Sequence, residues 1–418
     1  MANTIVNYFL AGRRLVLAVA AASSALGCST ESDAADAYSW SPNVVVAQPP
    51  NDRQQGETAL AKDAKGRVWL AFIDAQYRLV ASTGNWIDWP RRVRLFVSDD
   101  RGKTFSARPD LGEPAGDQTL AADSAGRVFA TYVQYFQANA RMRQHIALRR
   151  LDIDQPVNTS CLSWDEATSH DQSSFSFGID GSLHLIGVDI GAQKGRGALL
   201  YARSVDDGLS CIQAQRLASV GELPQVVETA QGLMIVGPDG FYTSEDHGVT
   251  FSERHARSFG EKLVRVTVSP DRKRVYVLGD AVAGGPLFST SVDGGRTWFA
   301  SRVKIPASVR ASRYPAIRVS EAGRVHIVWM DDRTGSGALY HAYSQDSGAH
   351  FSTSTVISDA RFVFPSDAPP PPPATQNGTW IGDYLAITTI GEVAVVAWSD
   401  QRSGTPNSVV RTSIGNPQ

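Results

Sequence analysis

Two phrases late in the chain set an indole, a carboxylate and a guanidinium at fixed spacing: Trp329-Met-Asp331-Asp-Arg333 and Trp398-Ser-Asp400-Gln-Arg402. Phe72-Ile-Asp74-Ala-Gln76 is a worn version, and Asp189 and Asp280 fall at similar places. Arginine grips a carboxylate through two parallel hydrogen bonds, and aromatic faces pack on the apolar side of a sugar ring. Such a set suits a sugar or a carboxylated ligand. The same spacing has an architectural use, the stitching of loops by ion pairs, and repetition favours it because one active site needs one arrangement. Other groups of this kind occur once: Asp52-Arg53, His170-Asp171, Arg313-Tyr314-Pro315 and Trp380-Ile-Gly-Asp383-Tyr384. Tyr384, Asp383, Arg53 and Arg313 are therefore the candidates for catalysis. Tyr314, Arg333, Asp400, Arg402 and Trp380 are the candidates for ligand binding.

Several chemistries lack their residues. The 8 histidines show no metal-ligand spacing, so neither a metal nor another cofactor is expected. There is no Gly-x-Ser-x-Gly elbow, no phosphate-binding glycine loop and no Cys-x-x-Cys pair. A formal net charge of -2 gives no reason to expect nucleic acid or an anionic membrane surface as partner. Arg91, Arg92, Arg94, Arg141, Arg143, Arg149 and Arg150 form two basic segments, read as a solvated face.

The elements that must position these side chains are read from repetition. Seven strand-like phrases recur, beginning at Gly66, Gly126, Gly181, Gly232, Lys273, Gly323 and Gly391. They lie 41 to 68 residues apart, the spacing of propeller blades of four strands. No stretch of the mature chain carries a sustained helical period of apolar residues. Between the phrases runs a second repeat, Ser-x-Asp-x-Gly-x-x-aromatic. It occurs at Ser98–Phe105, Ser244–Phe251, Ser291–Trp298 and Ser344–Phe351, with a copy at Ser204–Cys211 that has lost its aromatic residue. The Asp accepts hydrogen bonds from its own turn, and Gly supplies a positive φ.

This second repeat resembles the Asp box, and nearly the whole mature chain resembles the Asp-box (BNR-repeat) β-propellers, the sialidase-like superfamily. The resemblance implies an all-β propeller of four-stranded antiparallel blades, seven by the phrase count or six if the unit from Pro224 to Arg257 is irregular. The chain ends shortly after Ser408–Thr412, leaving the last blade one strand short, and Asn43–Ala47 is a strand without a blade. Pairing the two would close the ring and remove two sheet edges. Resemblance to sialidases also implies three arginines around a substrate carboxylate, a Tyr nucleophile paired with a Glu, and an Asp acid/base. Tyr384 stands where such a nucleophile would be, but no Arg-Ile-Pro signature occurs and no Glu is marked by the sequence. Two functions stay open: a glycan-directed propeller, either an exo-glycosidase of sialidase type or a carbohydrate binder, and a non-catalytic scaffold recognising an envelope protein.

The first 27 residues read as a targeting segment, with Arg13-Arg14 before the apolar run Leu15–Leu26. Ala25-Leu26-Gly27-Cys28 resembles a bacterial lipobox, which implies lipidation at Cys28. Residues 28–42 then form a tether and 43–418 one propeller domain. The expectation is a monomer in the bacterial cell envelope, held by its lipid at the outer membrane on the periplasmic or the surface side. Cys161 and Cys211 remain for that oxidising compartment, joined or filling an aromatic's slot.

Overall fold

The computed structural model describes residues 38–418, apart from 51–52, 81–84, 139–140, 152–169, 190–196, 212, 282, 307–308, 310, 334–335, 363–380 and 403–406. Cys28, Cys161, Trp380 and the Ala368–Ala374 proline run lie outside the described residues. All the regular structure described is strand.

Seven antiparallel sheets form the blades. Their inner strands are Arg53–Lys62, Ala115–Ala122, His170–Phe177, Gln225–Thr229, Val264–Val268, Ser312–Val319 and Ala386–Ile390. Each inner strand lies against that of the next blade, and the seventh lies against the first, so the sheets close a ring around a channel. This settles seven blades over six. The recurring phrases are the second strands, such as Leu183–Asp189 and Val325–Asp331, buried along their whole length. A strand covered on both faces has no polar side, which is why these phrases read as near-continuous apolar runs.

The core is divided in the same way. Seven apolar clusters fill seven seams, each between two consecutive blades. The repeated Ser-x-Asp-x-Gly turn joins third to fourth strands and is built alike in five blades. In the fourth, Thr250 donates its backbone N–H to Asp246 Oδ1 at 2.8 Å and its hydroxyl to Oδ2 at 2.6 Å. The N–H of Gly248 donates to Ser244 Oγ at 2.7 Å. In the third blade, hydrogen bonds from Ser210 hold the Asp206 carboxyl down to about 2. Gly248 has φ 88°, and a Cβ there would collide with the Tyr201 ring of the preceding blade. The turn therefore serves the seam as well as the hairpin.

Closure comes from both ends of the described chain. Tyr38–Trp40 and Val44–Val45 both pair antiparallel with the final strand, Val409–Pro417. The expected single strand at Asn43–Ala47 is thus two short ones, and the first described strand starts at Tyr38, inside the stretch expected as tether. Tyr38 is 4% exposed. It packs on His326 and His341 of the sixth blade, donates to the Glu392 carbonyl at 2.8 Å and accepts from Arg324 at 2.9 Å. Its removal leaves a cavity in the seam between the sixth and seventh blades, so Tyr38→Ala is expected to cost about 3 kcal/mol. Urea unfolding checks this, and a change below about 0.5 kcal/mol would show that the closing strand carries no stability.

Candidate functional site

Bulges in the inner strands build the site. The register of four of them slips at Gly56/Ala59, Gly116/Thr119, Asp171/Ser174 and Arg313/Ala316. At each slip one residue has positive φ: Glu57 at 56°, Asp117 at 50°, Gln172 at 54° and Tyr314 at 52°. Non-glycine residues resist this conformation, and bulges of this kind re-aim side chains. Here they set an acid from the first, second and third blades side by side at the channel.

Glu57 is 3% exposed and Asp117 is partly buried. Glu57 and Asp171 each hydrogen-bond Asp117. Arg91 lies 3.5 Å from Glu57 and 3.6 Å from Asp117, with its guanidinium over the Tyr135 ring. Gly116 makes that placement possible, since a Cβ there would sit 2.5 Å from the Arg91 Nε. Burial, then the Asp117 charge, push Glu57 well above the usual carboxylate range against the opposing pull of Arg91. The same two causes take Asp171 up to about 8. Both are therefore pushed towards their protonated forms.

Across the channel Tyr384 donates its hydroxyl to the Gln118 carbonyl at 3.2 Å, and the Arg265 guanidinium lies 5.3 Å from its ring centre. Burial, then the charges of Glu57 and Asp117, raise this phenol well above its ordinary value. Arg265 and Arg318 come from the inner strands of the fifth and sixth blades, and burial lowers both. Arg318 is crowded by protein yet open to water along the channel, and no carboxylate among the described residues pairs with it. Asp117, Gln172, Arg265, Arg318 and Tyr384 line one cavity of about 400 Å³.

Of the candidates read from sequence, Tyr384 lines this cavity and Asp383, exposed beside it, acts on Glu57 and Arg265 through its charge. Arg53 is held elsewhere. With Arg92 and Arg94 it surrounds the fully buried Asp74, donating to the Asp74 carbonyl at 2.7 Å. Arg313 and Tyr314 sit at the bulge of the sixth blade, with Tyr314 against the last seam. The Trp-x-Asp-x-Arg phrases act as staples. The Trp329 and Trp398 indoles donate to Asp331 and Asp400 at 2.9 Å. Arg333 pairs with Asp331 and lies over Tyr340. Arg402 joins Asp400 to Asp359 and to Asn43 of the closing segment. None of these staple residues lines the channel cavity.

Sequence reasoning missed Glu57, Asp117 and the role of Arg91, which is only 14% exposed and faces two acids instead of forming part of a solvated face. The available signal was the Gly-acid pair at Gly56-Glu57, Gly116-Asp117 and Gly382-Asp383, each entering an inner strand. Elsewhere Asp180, His184 and Glu228 bring ligating atoms within 4.8 Å of one another. Arg203 and Arg272 already pair with the two carboxylates, and Ser182 and Tyr201 with the imidazole, so the group knits the third and fourth blades. Cys211 is disulfide-bonded, to a partner outside the described residues.

No family model and no curated protein matches the chain. Among solved structures, a lectin, BP39L from Burkholderia pseudomallei, is 13% identical, with 88% of this chain and 98% of the lectin covered at a TM-score of 0.55. A protein of unknown function from Dyadobacter fermentans is 13% identical, with 91% and 99% covered at 0.51. The NanB sialidase of Streptococcus pneumoniae is 13% identical, with 90% and 70% covered at 0.44. At these identities the likeness speaks for the propeller fold alone.

The pH dependence of stability follows from the acid cluster. Asp171 keeps its proton to about 8 when folded but loses it near 3.8 when unfolded. Between these values the folded chain binds the extra proton, so stability falls as pH rises. His326 and His341, held neutral by burial, act in the opposite direction, but only below about pH 6.5. From pH 6.5 to 8 the folding free energy is therefore expected to decline by about 1.4 kcal/mol per pH unit for each such proton. Asp171→Asn should remove one proton's share of that slope. A slope identical in wild type and variant, from urea melts at each pH, would show that Asp171 is ionised when folded.

Proposed function

We propose that this protein is a carbohydrate-directed propeller that takes an anionic sugar residue into the mouth of its central channel and cleaves its glycosidic bond in the manner of an exo-sialidase. The observation that carries this is the division of the axis: neighbouring acids from the first three blades, Asp117 facing the cavity and Glu57 and Asp171 pushed towards their protonated forms beside it, with Arg265 and Arg318 on the cavity's other wall. Two arginines without a dedicated ion-pair partner among the described residues suit a substrate carboxylate. Glu57 supplies the proton to the departing oxygen, as carboxyls raised by burial do in glycoside hydrolysis. Tyr384 supplies the oxygen that attacks the anomeric carbon, its proton passing to the Asp117 carboxylate; water then breaks the sugar–tyrosine bond, giving its proton to Glu57 while Tyr384 recovers its own from Asp117. The Glu57–Asp117 hydrogen bond has to open for a sugar to enter. Because that bond already engages both acids, binding without hydrolysis is the second form of this proposal.

A panel of fluorogenic glycosides and a glycan array test it together. Hydrolysis of an acidic glycoside is expected, with kcat/KM reduced by about 10²–10⁴ in Glu57→Gln and in Tyr384→Phe. Array binding without turnover would select the binder. Silence on both would leave the scaffold that recognises an envelope protein. The lipobox-like Ala25–Cys28 supports an envelope location held by lipid at Cys28. Cys28→Ser should then move the protein from the membrane to the soluble fraction, and unchanged membrane association would refute the anchor.

A further inference from the structure

A second cleft, of about 290 Å³, opens between the fourth and fifth blades, away from the channel. Its walls are aromatic. Phe241 stands edge-on to Trp298, with ring centres 5.6 Å apart, and His255 stacks on Phe241 at 4.7 Å. Arg257 lies among them, its guanidinium 5.3 Å from the Phe259 ring centre and 5.6 Å from that of Trp298.

Apart from Arg265 in the channel, the other arginines stacked on rings among the described residues also hold a carboxylate. Arg67 pairs with Asp63, Arg127 with Asp123, Arg324 with Glu392 and Arg333 with Asp331. In the cleft itself Arg296 pairs with Glu245, and nearby along the chain Arg254 donates to the carbonyls of Ser219 and Asp239. Arg257 has none of this. Its Nε is buried without an acceptor, and among the described residues no carboxylate pairs with it. Burial lowers its pKa with no acid to counter the shift, yet a guanidinium stays charged at neutral pH. A cation held between rings at the edge of an open cleft, with its donors unspent, is arranged to receive an anion from outside.

We infer that the cleft between the fourth and fifth blades is a second, non-catalytic binding site for a single sugar ring bearing a carboxylate, gripped by Arg257 and packed on Trp298. The volume is at the small end of ligand sites, which suits one ring and not a chain. The aromatic walls distinguish a ring from a bare oxyanion. This rests on the carbohydrate reading but not on the channel chemistry, and its role would be to hold an acidic glycan while the channel works on another residue.

Calorimetric titration of the whole protein with methyl β-D-glucuronide, methyl β-D-glucoside and inorganic sulfate tests it, with an Arg318→Gln background to weaken the channel's own grip on a carboxylate. The glucuronide is expected to bind at least about tenfold more tightly than the glucoside, the margin of one charge-assisted hydrogen bond. In the Arg318→Gln background the Arg257-dependent component should remain, and adding Arg257→Gln should abolish it together with the preference for glucuronide that it carries. Should Arg257→Gln fold poorly, Trp298→Phe keeps the cation and is expected to weaken glucuronide and glucoside alike while preserving their ratio. Glucuronide binding that Arg257→Gln leaves untouched, no binding at all, or sulfate binding as tightly as the glucuronide would overturn the inference. Glycoside hydrolysis in Arg257→Gln, measured in parallel, reports separately on the channel.

Discussion

A ring of seven sheets has no hydrophobic centre. Its stability lies in the seams between neighbours, and a seam exists only where two blades face each other. The pairing of Tyr38–Trp40 and Val44–Val45 with Val409–Pro417 is therefore the interaction on which the others depend, because it completes the seventh blade and places Tyr38 in its seam with the sixth. Arg402 reinforces the same joint by bonding Asn43 at 2.7 Å. Were this joint open, the inner strands of the seventh and first blades would part, and with them Tyr384 and Glu57.

Closure has a price in polar chemistry at the axis. Inner strands crowd together there, and side chains that point into the channel lose water without gaining an apolar partner. The bulges crowd acids there, Asp117 facing the cavity and Glu57 buried beside it, and desolvation and mutual repulsion push Glu57 and Asp171 towards their protonated forms. A channel lined this way combines proton donors with the guanidinium groups of Arg265 and Arg318. That combination makes the axis a place for chemistry, while the Asp residues of the outer turns, such as Asp206, are spent on their own hairpins.

The propeller was legible in the sequence because its signals are local and repeated. The second strands from Val68 to Val393 and the turns from Ser98 to Phe351 recur with nearly fixed content. Tyr384 and Asp383 were legible because they occur once, in front of an inner strand. Glu57, Asp117 and Arg91 were not, since their meaning comes from a register slip and from two blades meeting, whose one local mark is the glycine before each acid. Conversely the Trp-x-Asp-x-Arg phrases looked chemical and proved to tie loops, because an indole and an arginine were already waiting for each carboxylate.

Whether the axis holds protons where it is said to can be measured without any ligand. Infrared difference spectra, recorded as pH is raised from 6 to 9, distinguish protonated from ionised carboxyls. With Glu57 and Asp171 sharing hydrogen bonds with Asp117, protonated-carboxyl bands should persist at neutral pH, the Asp171 component should fade around pH 8, and one component should be lost when either residue is made an amide. A spectrum without protonated carboxyls at pH 7 would mean that the channel is an ordinary ion-paired cluster, and the basis for chemistry at the axis would be gone.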